Sequence, residues 1–239
     1  MDWKLGKVQN IIKINSRVKV FRISPYIKTK KLIPGQHYDI RLTSEEGYQA
    51  QRSYSVSSSP MNSNIIEFTI CKSEEGEVSE YLHEKVKIGD KIEIKGPIGN
   101  YFNWVPGDYD NIVFFAGGTG ISPFMSMIRD KIEKKDKSKF TLVYSTRKII
   151  DILFNEELEK HEASDPFFEM IINLTREDKQ NWDGKIGRLS KKDIEKIVKI
   201  SSDNCLYFVC GPTNFVENIS NTILEIGVKY ELIKTERFG

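Results

Sequence analysis

Near residue 104 the hydrophobic rhythm of the chain changes, and this change constrains the fold more than any other feature. Before it, short runs at Val18–Ile23, His37–Leu42, Tyr54–Ser57, Ile65–Ile70 and Lys91–Ile94 carry period-2 or β-branched character. Turn signals separate them at Pro34-Gly35, Glu46-Gly47, Met61-Asn62-Ser63-Asn64 and Gly89-Asp90. Short strands at that spacing predict a small antiparallel barrel, with one helix over Ser79–Lys87 entered from Gly76. After it, Ile112–Ala116, Phe140–Tyr144, Phe167–Asn173 and Leu206–Val209 are continuous apolar runs, as strands buried on both faces require. Helical stretches alternate with them at Pro123–Lys135, Ile152–His161, Lys191–Lys199 and Thr213–Ile226. That alternation predicts βαβ units and a parallel sheet. The Pro and Gly of Trp104-Val-Pro-Gly-Asp108 suit a linker between an antiparallel barrel domain (1–104) and an α/β domain (109–239).

Composition narrows the class. The 239 residues exceed what one domain of ~100–200 residues needs. A hydrophobic share of 39% with 29% charged residues is that of an ordered globular protein. Thirty-six Lys+Arg against 34 Asp+Glu leave +2, too balanced for nucleic acid or an anionic membrane as the main partner. Cys71, Cys205 and Cys210 are too few for a disulfide framework and favour a reducing compartment. Cys205 and Cys210 stand in C-x4-C spacing, but no further thiols follow, so an iron–sulfur centre is not expected. His37, His83 and His161 are scattered away from any cysteine pair, so no metal site is expected either. No apolar run approaches the ~18 residues of a membrane span, and the first residues lack a signal-peptide core. The expectation is a cytoplasmic protein without a membrane span.

Several helix starts carry local chemistry. Ser122-Pro123 offers an N-cap followed by Pro at the first helical position, and Gly211-Pro212 repeats the Pro device. Ser190-Lys-Lys-Asp193 resembles a capping box. In the helix after Pro123, Met125, Ile128 and Ile132 fall on one face and belong to the core.

The strongest local signal in the second half is Phe115-Ala-Gly-Gly-Thr-Gly-Ile-Ser-Pro123. A buried strand runs into a glycine-rich turn and then a helix. Gly117, Gly118 and Gly120 allow a tight turn and close approach of a ligand, and free helical N–H groups favour a pyrophosphate. The spacing from Gly118 to Pro123 departs from the usual dinucleotide fingerprint, and a purely structural turn would also use these glycines. The next strand ends in Ser145-Thr-Arg147 with no acid at its tip. An arginine there suits a ribose 2′-phosphate, where an acid would suit a 2′-hydroxyl; a solvated surface arginine is the alternative. In the first half, Arg52-Ser-Tyr-Ser55 offers a cation, a π face and a hydroxyl, and Gly76-Glu-Val-Ser79 opens a helix that is a second anion site.

These pieces resemble the ferredoxin–NADP reductase superfamily. The resemblance rests on the order Arg52-Ser53-Tyr54-Ser55, Gly76-Glu-Val78-Ser79, Gly96-Pro-Ile-Gly99, Gly117-Gly-Thr-Gly-Ile-Ser-Pro123, Cys210-Gly211-Pro212 and Glu236-Arg-Phe238, nearly the whole chain. It implies an N-terminal barrel that binds FAD and a C-terminal domain that binds NADPH, with NADH possible. By matching position, Arg52 would pair with the flavin pyrophosphate, Tyr54 would stack on the isoalloxazine and Ser55 would bond near N5. Gly76, Val78 and Ser79 would cradle the pyrophosphate. Gly118, Thr119 and Gly120 would face the NAD(P)H pyrophosphate, and Cys210 would sit beside the nicotinamide. Arg147, Thr175-Arg176 and Gly187-Arg188 resemble the positions that hold the 2′-phosphate and adenine in bacterial ferredoxin/flavodoxin–NADP reductases. Phe238 matches the aromatic residue that covers the flavin, and Glu236 would act beside the nicotinamide. Relatives fused to haem or iron–sulfur modules need length and cysteines that these 239 residues lack. The implied activity is hydride transfer from NADPH to FAD, then single electrons to a ferredoxin or flavodoxin. A flavin reductase or a separate oxygenase reductase component is the alternative.

Overall fold

A computed structural model describes residues 2–27, 30–61, 64–200 and 204–238. The chain forms two compact units: residues 1–104 with 122–130, and residues 105–121 with 131–239. The helix after the glycine turn is thus shared between them, so no single cut in the sequence separates the units.

The first unit contains β1 (Lys4–Lys13), β2 (Val18–Pro25), β3 (His37–Thr43), β4 (Gln49–Ser55), β5 (Ile66–Cys71), α1 (Glu77–Glu84) and β6 (Lys91–Ile98). Its strands form one antiparallel sheet in the order β4-β3-β6-β1-β2-β5. An antiparallel bridge from Val56 to Phe68 joins the two outer strands, closing the sheet as a barrel closes. Val8, Phe21, Ile23, Tyr38, Ile40, Phe68, Val78 and Leu82 fill the interior. The turn expected at Met61–Asn64 includes Asn62 and Ser63, which lie outside the described residues. The expected helix at Ser79–Lys87 starts earlier, at Glu77, directly after Gly76.

The second unit contains β7 (Asn111–Gly117), a 3₁₀ turn (Gly118–Ile121) leading to the shared α2 (Ser122–Lys134), of which it holds only the end from Lys131, then β8 (Lys139–Thr146), α3 (Asn155–Ser164) and β9 (Phe168–Leu174). It continues through β10 (Lys185–Ile186), α4 (Lys191–Ile200), β11 (Cys205–Pro212), α5 (Thr213–Glu225) and β12 (Ile233–Phe238). All its strand pairs are parallel, in the order β10-β9-β8-β7-β11-β12. The chain winds outward on one side of β7 and returns on the other, so the strand order reverses between β7 and β11. Ligands of open α/β sheets bind outside the carboxyl ends of the strands at such a reversal, and the glycine turn leaves β7 there. Phe114 packs edge-on against Phe140, with ring centroids 4.9 Å apart, and lies 5.6 Å from Phe208. These contacts cement β7 between its neighbours.

In this unit the helix expected at Ile152–His161 begins at Asn155, and two helix caps and the last strand also differ from expectation. Ser122 is the first residue of α2 and not its cap, because the preceding 3₁₀ turn already delivers the chain in helical conformation at Ile121. Pro212 is the N-cap of α5 and not its first helical residue. The sequence reads as a final edge strand over Val228–Ile233, but the strand lies at Ile233–Phe238, in register with Tyr207–Pro212 of β11. The Ser190–Asp193 capping box forms: Asp193 accepts the Ser190 N–H at 2.7 Å, and Ser190 Oγ accepts the Asp193 N–H at 3.3 Å. With Lys185 also on its carboxylate, Asp193 is held down at about 2. Met125 and Ile128 are fully buried, as their spacing predicts, and Ile132 is partly so.

Candidate functional site

In the first unit, β4 carries Arg52, Ser53, Tyr54 and Ser55, and α1 packs beside it. Arg52 stays exposed, and one guanidinium nitrogen donates to the Gln51 carbonyl at 2.9 Å. Ser53 points to the other face and bonds Asp39 at 2.6 Å. Tyr54 is half-buried, and burial pushes its phenol up to about 12 despite the opposing Arg52 charge. A neutral ring with a broad π face therefore lies next to a cation at every physiological pH.

The loop into α1 has little slack. A Cβ on Gly76 would come 2.4 Å from Ser79 Oγ and 2.7 Å from Ser73 Cβ, so only glycine fits. Ser79 Oγ is committed to this loop, accepting the Ser73 N–H and donating to the Gly76 carbonyl. Gly76 supplies no side-chain cap, which leaves the first-turn N–H groups of α1 available to an anion. Val78 is buried and anchors that turn in the barrel core. These features fit a pyrophosphate between Arg52 and the start of α1.

The sequence places His37 at the start of a strand, away from any cysteine pair, and gives it no role in the site. It stands directly across from Ser55 in the β3–β4 register. Burial lowers its pKa, with Asp39 opposing, so its ring is neutral at pH 7. The signal that could have found it is register, which is invisible before the strands pair.

In the second unit the glycines divide by what they face. A Cβ on Gly117 or Gly211 would meet the Phe215 ring at 2.9 and 2.8 Å. A Cβ on Gly120 would sit 2.2 Å from the Cys210 carbonyl oxygen. These three let the turn lie against β11 and α5. Gly118 alone of the four has positive φ, +56°, with nothing within 4 Å of the missing side chain, and so offers bare backbone to a ligand. Gly120→Ala forces backbone apart and is expected to cost about 3 kcal/mol, whereas Gly118→Ala meets only left-handed strain of about 1 kcal/mol. Urea midpoints of the two variants check this, and equal losses would contradict the division.

Cys210, at the end of β11, is 1% exposed and lies in register with Ala116 of β7 and Glu236 of β12. Burial, then the Glu236 charge, holds its thiol well above the ordinary value, so it is a protonated packing group and not a thiolate nucleophile. Glu236 is half-buried. Phe238 ends β12 opposite Pro212 and is 40% exposed. Gly239 lies outside the described residues.

Arg147 and Arg176 leave the carboxyl ends of β8 and β9 side by side, the Arg176 N–H donating to the Arg147 carbonyl at 2.9 Å. Both are exposed, and so is Arg188. Asn173, missed in the sequence reading, holds the turn before Arg188: its amide donates to Gly187 O at 2.8 Å and to Ser145 Oγ at 3.1 Å. A fully buried amide inside the apolar run Ile-Ile-Asn-Leu was the available signal.

Comparison with known proteins bears on the whole arrangement. Residues 5–103 match the Oxidoreductase FAD-binding domain family and residues 114–221 the Oxidoreductase NAD-binding domain family. NADH-cytochrome b5 reductase 1 of Dictyostelium discoideum is 30% identical over 222 residues, covering 92% of this chain and 76% of that protein. The chain belongs to the ferredoxin–NADP reductase superfamily. The glycine betaine monooxygenase reductase subunit of Chromohalobacter salexigens is 30% identical over 208 residues, 86% of this chain. The chain spans only 56% of that relative's length. In fold, a Neisseria gonorrhoeae ferredoxin NADP+ reductase solved with FAD and NADP superposes with a TM-score of 0.84 at 20% identity, over 99% of both chains. This superfamily member therefore carries an oxidoreductase-type FAD-binding domain followed by an oxidoreductase-type NAD-binding domain. Among the described residues no helix is long and apolar enough to cross a membrane.

Proposed function

We propose that this chain is an NADPH-oxidising flavoprotein reductase that serves a separate electron-carrying partner. The observation that carries the reading is the pairing, on one chain, of two anion cradles of different construction: Arg52 with the bare start of α1, and Gly118 with the Arg147–Arg176 pair. Bound FAD would supply hydride acceptance and stepwise electron release. The protein's part is positional. Arg52 and the first N–H groups of α1 bind the diphosphate, Tyr54 presents a neutral ring face, and Ser55 places a hydroxyl at the reacting edge. Arg147 and Arg176 take a 2′-phosphate through charge-assisted hydrogen bonds that a nucleotide without that phosphate cannot make.

A ferredoxin or flavodoxin is the acceptor class proposed first. An oxygenase component is the second reading, favoured by the likeness to the glycine betaine monooxygenase reductase subunit and to the phenol hydroxylase P5 protein of Acinetobacter pittii. The test is the visible spectrum of the purified protein before and after anaerobic NADPH, with the released flavin identified by chromatography. Bound FAD bleached by NADPH supports the proposal, and a colourless protein or FMN alone would refute it. Turnover with a ferredoxin, a flavodoxin or an oxygenase component then separates the acceptors.

Ser55→Ala is expected to keep FAD bound and to slow flavin reduction about tenfold, the worth of ~1.4 kcal/mol from one neutral hydroxyl. Stopped-flow reduction at the unmodified rate would remove Ser55 from the reaction.

A further inference from the structure

Two residues beyond Ser55, the chain enters a polar cluster that the proposed chemistry does not use. Glu67 of β5 is 3% exposed, yet its carboxylate is bonded on both oxygens. Oε1 accepts from Arg129 Nη1 at 2.7 Å and from Ser57 Oγ at 2.9 Å, and Oε2 accepts from Arg22 Nε at 2.9 Å. Arg129 Nη1 also donates to the Ser57 carbonyl at 2.7 Å. The Ser57 N–H donates to the Glu67 carbonyl at 2.9 Å, and Thr69 Oγ1 donates to Ser57 Oγ at 3.3 Å. The backbone donor, backbone acceptor and hydroxyl of Ser57 are thus all engaged. The neighbours are tied as well: the Val56 N–H donates to Gln36 O at 3.1 Å, and Ser58 Oγ accepts the Glu67 N–H at 3.1 Å.

A buried ion pair is weak evidence for stability, since apolar residues of similar volume often do as well. Its geometry here has a direction: it fixes one short stretch of backbone at many points. Val56, between the two serines, is bridged to Phe68, and residues two apart in extended backbone lie roughly 6.6 Å apart, so a shift at Ser57 is carried to Ser55 through one pinned residue. We infer that Glu67 and Arg129, acting through Ser57, are positioning residues that hold the Ser55 hydroxyl at the place where the flavin reacts. The inference rests on the functional reading above. It extends that reading from the residues that would touch flavin to a support reaching the barrel from β2, β5 and α2.

The test uses flavin-loaded protein with Ser57→Ala or Arg129→Lys, each made alone and again together with Ser55→Ala. Arg129→Ala is avoided because it leaves a buried carboxylate without its main partner. Flavin content, nucleotide dissociation constant and reduction rate at saturating nucleotide are measured for each. Expected are full flavin content, nucleotide affinity within about twofold, and reduction slowed on the order of 10–100-fold, as for a reacting group misplaced by a fraction of an ångström. In the Ser55→Ala background the same replacements should slow reduction by at most about twofold more, because the positioned group is already gone. Rates per bound flavin that match the unmodified protein while only the melting temperature falls would overturn the inference. Equal losses in both backgrounds, or loss of flavin instead of rate, would overturn it too. Failure of the functional reading is told apart, because unmodified protein without reducible flavin shows it before any substitution is made.

Discussion

Replacing Arg147 and Arg176 together by alanine is expected to lower kcat/KM for NADPH about 100-fold and to leave NADH within about threefold, the worth of ~2.7 kcal/mol between the two nucleotides. Hydrogen bonds to charged groups contribute about 1.5–3 kcal/mol each when shielded. Both arginines are exposed, so the lower end applies to the pair. The backbone bond between Arg176 and Arg147 sets the two loops side by side without help from either guanidinium, so the double variant keeps its fold. The loss should fall mainly on KM and shrink as salt is raised, since screening weakens both contacts. Steady-state kinetics with both nucleotides decide it. Equal efficiency with NADPH and NADH in the unmodified protein would show that these arginines do not bind a 2′-phosphate and are surface charge.

The other large effect is expected in stability. Arg129→Ala leaves the Glu67 carboxylate buried against Ser57 and the partly exposed Arg22, and should cost about 3–5 kcal/mol. By contrast, Lys191→Ala breaks an exposed, solvent-screened pair with Glu225 and should leave the urea midpoint nearly unchanged. Acid adds a signature. Burial by itself would raise the Glu67 pKa, but Arg129, Arg22 and Ser57 outweigh it and hold the carboxyl below its ordinary 4.5. A depressed folded pKa stabilises the protein fully above the unfolded value, and that contribution is lost as pH falls through the folded one. Between neutral pH and about 4.5 the unmodified protein should therefore keep this contribution, and lose it on further acidification. Arg129→Ala should lack most of this acid-dependent step. Urea unfolding of the unmodified protein and of Arg129→Ala from neutral pH to well below 4.5 checks it, and parallel curves would show the pair to be inert.

What local sequence determined is clearest at β7 and its turn. Asn111–Gly117 is apolar enough to be buried on both faces, and the glycines that follow allow only a few backbone paths, so strand, turn and helix were all legible without tertiary contacts. The motif residues of β4 and the start of α1 were legible in the same way, because their chemistry lies within four consecutive residues. β1 was not. Lys4–Lys13 mixes polar and apolar residues, and a bulge between Val8 and Asn10 breaks the alternation on which a period-2 reading depends. It also includes Gly6, where a Cβ would stand 2.5 Å from Ile23, a constraint that exists only once β2 is alongside. β12 was displaced for a related reason. Lys234-Thr-Glu-Arg has no apolar run, and it becomes a strand because the edge of β11 would otherwise leave N–H and C=O groups without strand partners from Tyr207 onward. The sharing of α2 between the two units and the meeting of Arg129 with Glu67, 62 residues away, were decided by packing alone. A buried charge finds its partner through the fold, and nothing in the residues flanking either one records where that partner will be.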